Sequence, residues 1–336
     1  MNFFSVRPTL ALCLLALLSD AAAAQESGYQ LGRGKALTDW LTTGGYFSTE
    51  YSDSNNERKL LLDDLALLLY GEKGRGFSYL LEVESVEPYV ADFKHDTTTT
   101  NFPPTIERLY LDYKISDLVS VRIGKQITPV GYWNLQPINV LRETTSNPLY
   151  SDRMIPKFLT GIDVYGYAPF ATDLTYHVFA QNGHDMDQSN INIAIDRHYG
   201  FALEKILPGG WKLGGSVGRF QELNSGATRY LQLNTRYDTD RFTLLAEGSH
   251  KLQDQKSGSP RQSDAFYVQG EYHLSVQHSL ITRAEYLHDS GVENSERIGI
   301  VGYSYRPVFP VSLKIEYQWH QDSAQNRVMA SISVLF

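Results

Sequence analysis

The feature that most constrains this chain is the alternation of apolar and polar residues with a period of two. In the C-terminal segment 327–336, one face of an extended strand is apolar and the other is mostly polar. The apolar face carries Val328, Ala330, Ile332, Val334 and Phe336. Such a strand is suited to the boundary between an apolar medium and water.

The same two-faced pattern recurs upstream, in the segments 77–84, 108–115, 173–181 and 311–320. A soluble β-sandwich also alternates in this way, so the connections between the segments carry the argument. Short connections rich in Gly, Pro, Asp or Ser, such as those expected at 208–210 and 306–310, alternate along the chain with longer polar ones, such as the loop expected at 321–326. Outer-membrane barrels show the same alternation. Counting the segments between them gives about 16 strands, an even number that returns both termini to one side of the membrane.

The N-terminus predicts export from the cytoplasm. Arg7 precedes the apolar run 10–18, and small residues follow at 21–24. That run is too short to span a bilayer as a helix, so residues 1–24 are predicted to be a cleaved signal peptide. Residues 25–41 are predicted to form a short periplasmic lead-in or a helical turn, and residues 42–336 the barrel.

Composition excludes several classes of protein. The only cysteine, Cys13, lies in the predicted signal peptide, so we expect no disulfide, no thiolate metal site and no cofactor. The net charge of -8 argues against a nucleic-acid partner, which would need concentrated Lys and Arg. After the signal peptide, no apolar stretch approaches the ~20 residues of a membrane helix, so a membrane location demands a closed barrel.

These observations predict an all-β fold, a transmembrane antiparallel β-barrel with short periplasmic turns, long extracellular loops and both termini in the periplasm. Its surroundings would be bacterial outer-membrane lipid and lipopolysaccharide. The terminal Phe336 resembles the signature by which the barrel-assembly machinery recognises such proteins. Aromatic residues near strand ends or on lipid faces are predicted to form interfacial girdles. They are Tyr46, Tyr51, Tyr70, Tyr79, Tyr237, Tyr286, Tyr317 and Trp319.

The segment 121–137, VRIGKQITPVGYWNLQP, runs from a strand through Gly124 and Lys125 to Pro129 and Gly131, and then enters the longest loop. This pattern resembles the corresponding region of the phosphate-selective porin O and P family. The resemblance implies a barrel of about 16 strands that is narrowed by loops folded into its lumen. It also implies a homotrimer.

The charges depart from that family, whose anion-selective members line the channel with arginines and lysines. Here the predicted lumen is mixed, which predicts only weak charge selectivity. Its basic residues are Arg108, Lys114, Arg122 and Arg283. Its acidic residues are Glu82, Glu84, Glu204, Glu247, Glu271, Glu285 and Glu316.

The loop from Thr128 to Thr160 is too long for an ordinary connection. Its apolar side chains, such as Trp133 and Met154, would gain nothing in an exposed loop, so we predict that it folds inward and constricts the pore. The alternative is a loop that stands outside the cell. The predicted pore-lining or constriction residues are Arg108, Lys114, Arg122, Arg142, Arg153, Lys157, Glu82 and Glu84.

Two interpretations of the basic residues Arg108, Lys114, Arg122 and Lys125 remain open. They form a strip that attracts anions, or they pair across strands with carboxylates and stabilise the wall. The carboxylates available for such pairing are Asp112, Glu84 and Glu107. By strict alternation Lys125 falls on the lipid face.

Candidate catalytic and metal sites are weaker. His273 and Ser275 share a face, as in outer-membrane phospholipases, but they lie at a predicted turn without the rest of that motif, so we expect no enzyme. His184, Asp185 and Asp187 lie on one loop and could hold a divalent cation. Polar loop clusters are more often only solvated, and we predict no metal site.

The sequence therefore predicts an outer-membrane porin for the passive diffusion of small hydrophilic solutes or ions, anions among them. The alternative is a closed barrel that acts as an adhesin or receptor through its extracellular loops. A third, an esterase or lipase, would depend on Ser275.

Overall fold

The computed structural model describes residues 29–223, 225–255, 259–291 and 295–336. In these residues, sixteen antiparallel strands form one closed barrel. The strands are β1 (Leu41–Ser54), β2 (Arg58–Lys73), β3 (Phe77–Asp92), β4 (Thr105–Lys114), β5 (Ser120–Ile127), β6 (Phe158–Tyr167), β7 (Leu174–Asn182), β8 (Ile195–Leu207), β9 (Trp211–Glu222), β10 (Ala227–Asp238), β11 (Phe242–Gln253), β12 (Arg261–His273), β13 (His278–Asp289), β14 (Glu296–Tyr305), β15 (Val311–His320) and β16 (Arg327–Leu335). The predicted all-β barrel is confirmed.

The barrel closes where β16 pairs with β1, from Arg327 opposite Ser54 to Leu335 opposite Tyr46. The last residue extends this seam, since the Phe336 N–H donates to the Gly45 carbonyl at 2.7 Å. A Cβ atom on Gly45 would lie 2.8 Å from the Phe336 ring. Glycine is therefore required for the terminal ring to lie flat against the wall.

Connections differ between the two ends of the barrel. At one end, the short-turn end, they span residues 74–76, 115–119, 168–173, 208–210, 239–241, 274–277 and 306–310. At the other, the long-loop end, they span residues 55–57, 93–104, 128–157, 183–194, 223–226, 254–260, 290–295 and 321–326. The first residue of β1 and the last of β16 both lie at the short-turn end.

Two short elements lie beside the barrel wall. Tyr29–Gln30 and Gly34–Thr38 form a hairpin, whose second strand pairs with the beginning of β1. Thr97–Thr100 pairs with the end of β3, which continues past the point where β4 begins. The predicted signal peptide lies outside the described residues. The described helices are all shorter than the length needed to cross a membrane.

Strand alternation separates an inward face from an outward one. On β15 the inward side chains of Lys314, Glu316 and Gln318 are buried, whereas the outward Ile315 and Trp319 are about half exposed. The predicted aromatic girdle is wrong at two positions. Tyr46 and Tyr70 lie on the inward face of the barrel, as Ala66 does. Tyr46 and Ala66 belong to one buried cluster inside the barrel, and Tyr70 packs against that cluster.

Three barrel strands depart from strict alternation through register shifts: β8 around Asp196, and β2 and β4 on the opposite wall. The register shifts around Asp63 in β2 and around Glu107 in β4. An extra residue in one strand lets consecutive side chains face the same side. Asp63 therefore faces inward beside Asp64, and Glu107 does so beside Arg108. The bulges place more acidic groups on this part of the wall than alternation would allow.

Candidate pore constriction

The connection between β5 and β6, residues 128–157, is folded into the lumen, and we call it the inner loop. It contains a 3-10 turn at Asn139–Leu141 and a short helix, α1, at Leu149–Arg153. Val140 is 1% exposed and Met154 is fully buried, so its apolar side chains are covered by the barrel wall. This geometry fits the inward-folding interpretation of the loop and not the extracellular one.

The inner loop packs most densely against the wall formed by β7 to β13, which we call the packed half. Trp133 and Tyr150 place their rings 6.1 and 6.0 Å from the ring of Tyr267 on β12. The same apolar cluster includes Phe220 on β9 and Tyr230 on β10, which are almost completely buried. This half of the lumen is filled by a core of ordinary hydrophobic packing.

Three wall glutamates hold the backbone of the inner loop. Glu247 accepts the N–H groups of Tyr132 and Trp133, both at 2.8 Å. Glu316 accepts those of Thr145 and Ser146 at 2.9 and 3.2 Å. Glu285 accepts the N–H of Leu149 at 2.7 Å. Because a carboxylate can accept two N–H bonds side by side, each glutamate fixes a short stretch of irregular backbone.

Three wall cations bind the carbonyls of the same loop. Arg283 donates to Ser146 at 3.1 Å, and Lys314 donates to the carbonyl of Asn139 at 2.7 Å. Arg306 donates to the carbonyl of Arg142 at 2.8 Å. Both acidic and basic residues of the predicted lumen therefore hold the inner loop in place.

Gly131 marks the closest approach of the inner loop to the wall. Its φ of +76° lies in the left-handed region, which glycine adopts without steric cost. A Cβ atom there would lie 2.2 Å from the Glu247 carboxylate. Both the backbone conformation and the contact with Glu247 require glycine at this position.

Between the inner loop and the wall of β1 to β4, apolar packing is limited to a small cluster around Val140, and we call this side the open half. It holds a gap of about 450 Å³. The wall side of the gap carries Glu50, Asp63, Asp64, Glu84 and Glu107. The loop side carries Arg142, Asp152, Arg153 and Lys157. Acidic groups on the wall thus face mainly basic groups on the loop.

Hydrogen bonds fix several of these charged groups. Lys157 pairs with Glu107 at 3.1 Å, and Arg108 pairs with Glu82 just inside the wall. The Tyr46 hydroxyl donates to Glu82 at 2.9 Å. Arg142 donates to the carbonyl of Gln136 at 2.6 Å, and burial lowers its pKa from the ordinary value. The lining of the gap is therefore largely preorganised.

The connection 183–194 secures the inner loop at its C-terminal end. The Asn192 amide accepts the N–H of Lys157 at 2.8 Å and donates to the carbonyl of Ile155 at 2.8 Å. Asn190 donates to Glu107 at 3.0 Å. This second loop joins the inner loop to the acidic wall at the long-loop end.

Half of the eight sequence-predicted site residues do not line the gap. Lys114 is more than half exposed at the short-turn end, where it pairs with Asp117 at 2.7 Å. Arg122 pairs with Asp112 at 2.6 Å in a separate cavity of about 600 Å³. Glu82 and Arg108 pair with each other outside the gap lining. The predicted residues that line the gap are Glu84, Arg142, Lys157 and the half-exposed Arg153, which pairs with Glu296 at 2.5 Å.

Lys125 shares the outward face with its cross-strand partners Leu109 and Thr160. It is nevertheless 1% exposed, because the connection 183–194 covers it. Its ammonium lies 3.4 Å from the Asp185 carboxylate. A charge on the outward face of a strand is thus paired and shielded, and the basic residues of the predicted strip are each paired with a carboxylate.

The candidate catalytic and metal-ligating side chains have other partners in the structure. His273 contacts Ser279 at 3.0 Å, while the Ser275 hydroxyl accepts the N–H of Gln277. His184 approaches Asp196, and Asp185 accepts from Thr160. Across the described residues, no group of three or more metal-ligating side chains converges.

Sequence reasoning missed Glu50, Asp63 and Asp64, which contribute three carboxylates to the gap. A signal was present, because two consecutive aspartates interrupt the apolar segment 60–69 in β2. One of two adjacent residues in a regular strand must face lipid, where a carboxylate is costly. A bulge is the simplest way to keep both inside.

Comparison with known proteins identifies the fold. No family model and no curated protein matches this chain. OmpF of Salmonella typhi in complex with daunomycin is 10% identical, with a TM-score of 0.63 over 88% of this chain and 97% of that one. The outer membrane channel DcaP of Acinetobacter baumannii is 14% identical, with a TM-score of 0.62 over 90% and 100%. An anion-selective porin from Comamonas acidovorans is 10% identical, with a TM-score of 0.58 over 88% and 99%. At these identities the likeness shows that the chain has the barrel fold of bacterial outer-membrane porins.

Proposed function

We propose that this protein is an outer-membrane porin through which small hydrophilic solutes diffuse passively, with the gap in the open half as its constriction. The observation that carries the proposal is a charge-lined gap of about 450 Å³ beside a loop that packs against the opposite wall. The porin fold supports it. The short-turn end faces the periplasm in this proposal, since the short turns of bacterial barrels lie there.

A homotrimer is the proposed assembly. A solved structure with the same fold, OmpT of Vibrio cholerae, is described as a trimer form, at 10% identity and a TM-score of 0.62. Outer-membrane lipid and lipopolysaccharide are the proposed surroundings. Recognition by the barrel-assembly machinery through Phe336 belongs to the same proposal.

The charge balance of the gap favours cations weakly over anions. Its lining includes seven carboxylates and four cationic side chains. The carboxylates are Glu50, Asp63, Asp64, Glu84, Glu107, Asp152 and Glu285, and the cations are Arg142, Arg153, Lys157 and Arg327. Fixed charges at a narrow point attract ions of the opposite sign. The anion preference implied by the resemblance to the phosphate-selective family is the competing proposal.

Planar bilayers test both parts of the proposal. We expect stable single-channel conductance from the purified protein, and a reversal potential in a potassium chloride gradient that indicates a modest excess of cation permeability. A strong anion preference would support the phosphate-selective assignment instead. Absence of conductance, together with binding to cells or ligands, would favour a closed barrel that works through its loops.

A further inference from the structure

Four arginines lie on the outward face of the barrel close to the long-loop end. They are Arg197 on β8, Arg219 on β9, Arg229 on β10 and Arg297 on β14, and we call them the arginine row. All four are exposed to the outside, whereas their chain neighbours His198, Phe220, Tyr230 and Ile298 point inward and are buried. These positions lie where the lipid-facing band of a barrel gives way to water.

The positive charge of the central pair of the row is only partly neutralised. Arg219 and Arg229 are directly opposite each other on paired strands, a placement that is destabilising for like charges. Arg229 has Asp254 at 3.3 Å. Within the part of the chain that the structure describes, Arg219 and Arg297 have no carboxylate within 4.0 Å. An anion that accepts hydrogen bonds from both guanidinium groups would relieve this repulsion.

The other side of the barrel differs. Its outward Arg58, near the same end, pairs with Asp53 at 3.1 Å. Its outward Lys125 is covered and lies 3.4 Å from Asp185.

In the arginine row, Arg197 and Arg229 also have a carboxylate, Asp196 at 3.7 Å and Asp254 at 3.3 Å. The contrast with the β1 to β6 wall therefore rests on Arg219 and Arg297, for which the described residues show no such partner.

An apolar slot lies next to Arg297 on the outer surface. It encloses about 710 Å³. Its floor is made by the small residues Ala284 and Gly299, which are cross-strand partners, and its sides include Phe266 and Trp319. Small residues between aromatic rings leave room for a hydrocarbon chain directly beside a guanidinium group.

We propose that the arginine row binds the phosphate groups of phosphorylated lipids in the surrounding leaflet, with an acyl chain of one such lipid in the outer slot. Guanidinium groups bind phosphate oxygens in a bidentate manner, and the slot offers apolar contact at the same level of the barrel. A free phosphate ion would bind to the arginines and would leave the slot empty, whereas a lipid would occupy both. The inference rests on the proposed outer-membrane location and orientation of the barrel, and it does not depend on conduction.

The test is lipid binding to the full-length mature protein in a neutral detergent, measured by native mass spectrometry with diphosphorylated lipid A. We expect the double variant R219Q/R229Q to bind at least about tenfold more weakly, since the loss of even one charged hydrogen bond is worth about that factor. The matched control is R58Q, which removes an outward arginine that has its own carboxylate and should leave lipid binding unchanged. Dephosphorylated lipid A should bind weakly to every variant.

Three results would overturn the phosphate assignment. These are equal affinity of R219Q/R229Q and the unchanged protein, equal loss in R58Q, or equal binding of dephosphorylated lipid A. Displacement of the lipid by millimolar inorganic phosphate would assign the arginines to a free anion and would also overturn it. Bilayer conductance measured on the same variants keeps this result separate from the proposed pore function.

The variant Gly299→Leu tests the slot. A Cβ atom at this position meets only Trp319, at 3.9 Å, so the substitution fills the slot without a clash. We expect G299L to bind lipid A severalfold more weakly and to leave binding of a phosphorylated glucosamine headgroup without chains unchanged. Unchanged lipid affinity in G299L would show that no acyl chain binds in the slot.

Discussion

The packed half and the open half of the lumen are built by the same kind of strand, yet they differ in what fills them. In the packed half, the Tyr267 ring contacts Trp133 and Tyr150 of the inner loop, and wall charges bind the loop backbone. In the open half, bulges in β2 and β4 add carboxylates to the wall, and a gap separates these carboxylates from much of the loop, although Val140 packs in a small cluster with Ala66. The packed half therefore makes most of the apolar contacts that hold the loop, and the open half contributes most of the carboxylates that line the gap.

This difference teaches that a charge in a barrel lumen need not be a selectivity charge. Glu247 and Arg283 are buried against the inner loop and exchange hydrogen bonds with it. Glu50 and Asp64 face the gap. Mutations in the packed half should thus act on stability and on the position of the loop, whereas mutations in the open half should act on permeation.

The largest expected effect is that of Arg283→Met in the packed half. The side chain is completely buried, pairs with Glu285 at 2.7 Å and donates to the inner loop. Removing one partner of a buried pair leaves the other charge uncompensated, so we expect a loss of about 3–5 kcal/mol in the free energy of unfolding. Urea titration of the protein in detergent measures it. The control is Arg153→Met, an exposed pair, with an expected loss below about 1 kcal/mol.

Phe220→Ala should have a somewhat smaller effect. The ring is 1% exposed and packs beside Tyr230 at a centroid distance of 6.1 Å. Deleting a buried aromatic ring loses its transfer free energy and leaves a cavity, which costs about 3 kcal/mol. The same urea titration applies. A loss of unfolding free energy near zero would show that water fills the packed half, and would remove the distinction between the two halves.

Gly131→Ala tests the close approach of the inner loop to the wall. The added methyl group would clash with the Glu247 carboxylate, and alanine would be strained at the positive φ. We expect a loss of about 1–2 kcal/mol, accompanied by a change in single-channel conductance as the loop shifts. Gly209→Ala is the control, since it also has positive φ but meets no atom within 4 Å. Equal effects on conductance in the two variants would contradict the anchoring role of Glu247.

The smallest effect on stability belongs to the double variant Asp63→Asn and Asp64→Asn in the open half. These carboxylates line the gap and do not hold the inner loop, so we expect the free energy of unfolding to change by less than about 0.5 kcal/mol. The ratio of cation to anion permeability should fall by roughly half, because negative charge is removed from the lining of the gap. Reversal potentials measure this ratio. If the permeability ratio is unchanged and the free energy of unfolding changes, these two aspartates stabilise the fold and do not select ions.

The periodicity of the sequence predicted the barrel and most of its connections. The turns expected at 208–210 and 306–310 and the loop expected at 321–326 are present at those positions. They could be predicted because turn residues and alternation are local properties that each segment carries by itself. The apolar content of the inner loop also led to its inward placement, since such side chains need a surface to cover them.

The partners of individual charges could not be predicted in this way. Lys125 falls on the outward face, as strict alternation places it, but only the fold of the connection 183–194 brings Asp185 over it. Glu316 was expected to face the lumen, yet its role as an acceptor for Thr145 depends on a loop that lies 171 residues away in the chain. Tyr46 was placed in a girdle and instead lies inside, hydrogen-bonded to Glu82.

The order of residues alone determined that this chain has two-faced strands, forms a closed barrel and encloses a polar interior. The reason is that each strand by itself carries the alternation of apolar and polar residues. The tertiary structure decided which part of that interior is filled and which part is left as a gap. The reason is physical: bulges, loop paths and ion pairs depend on contacts between residues far apart in the chain, and the cost of an unpaired charge is decided only when those contacts form.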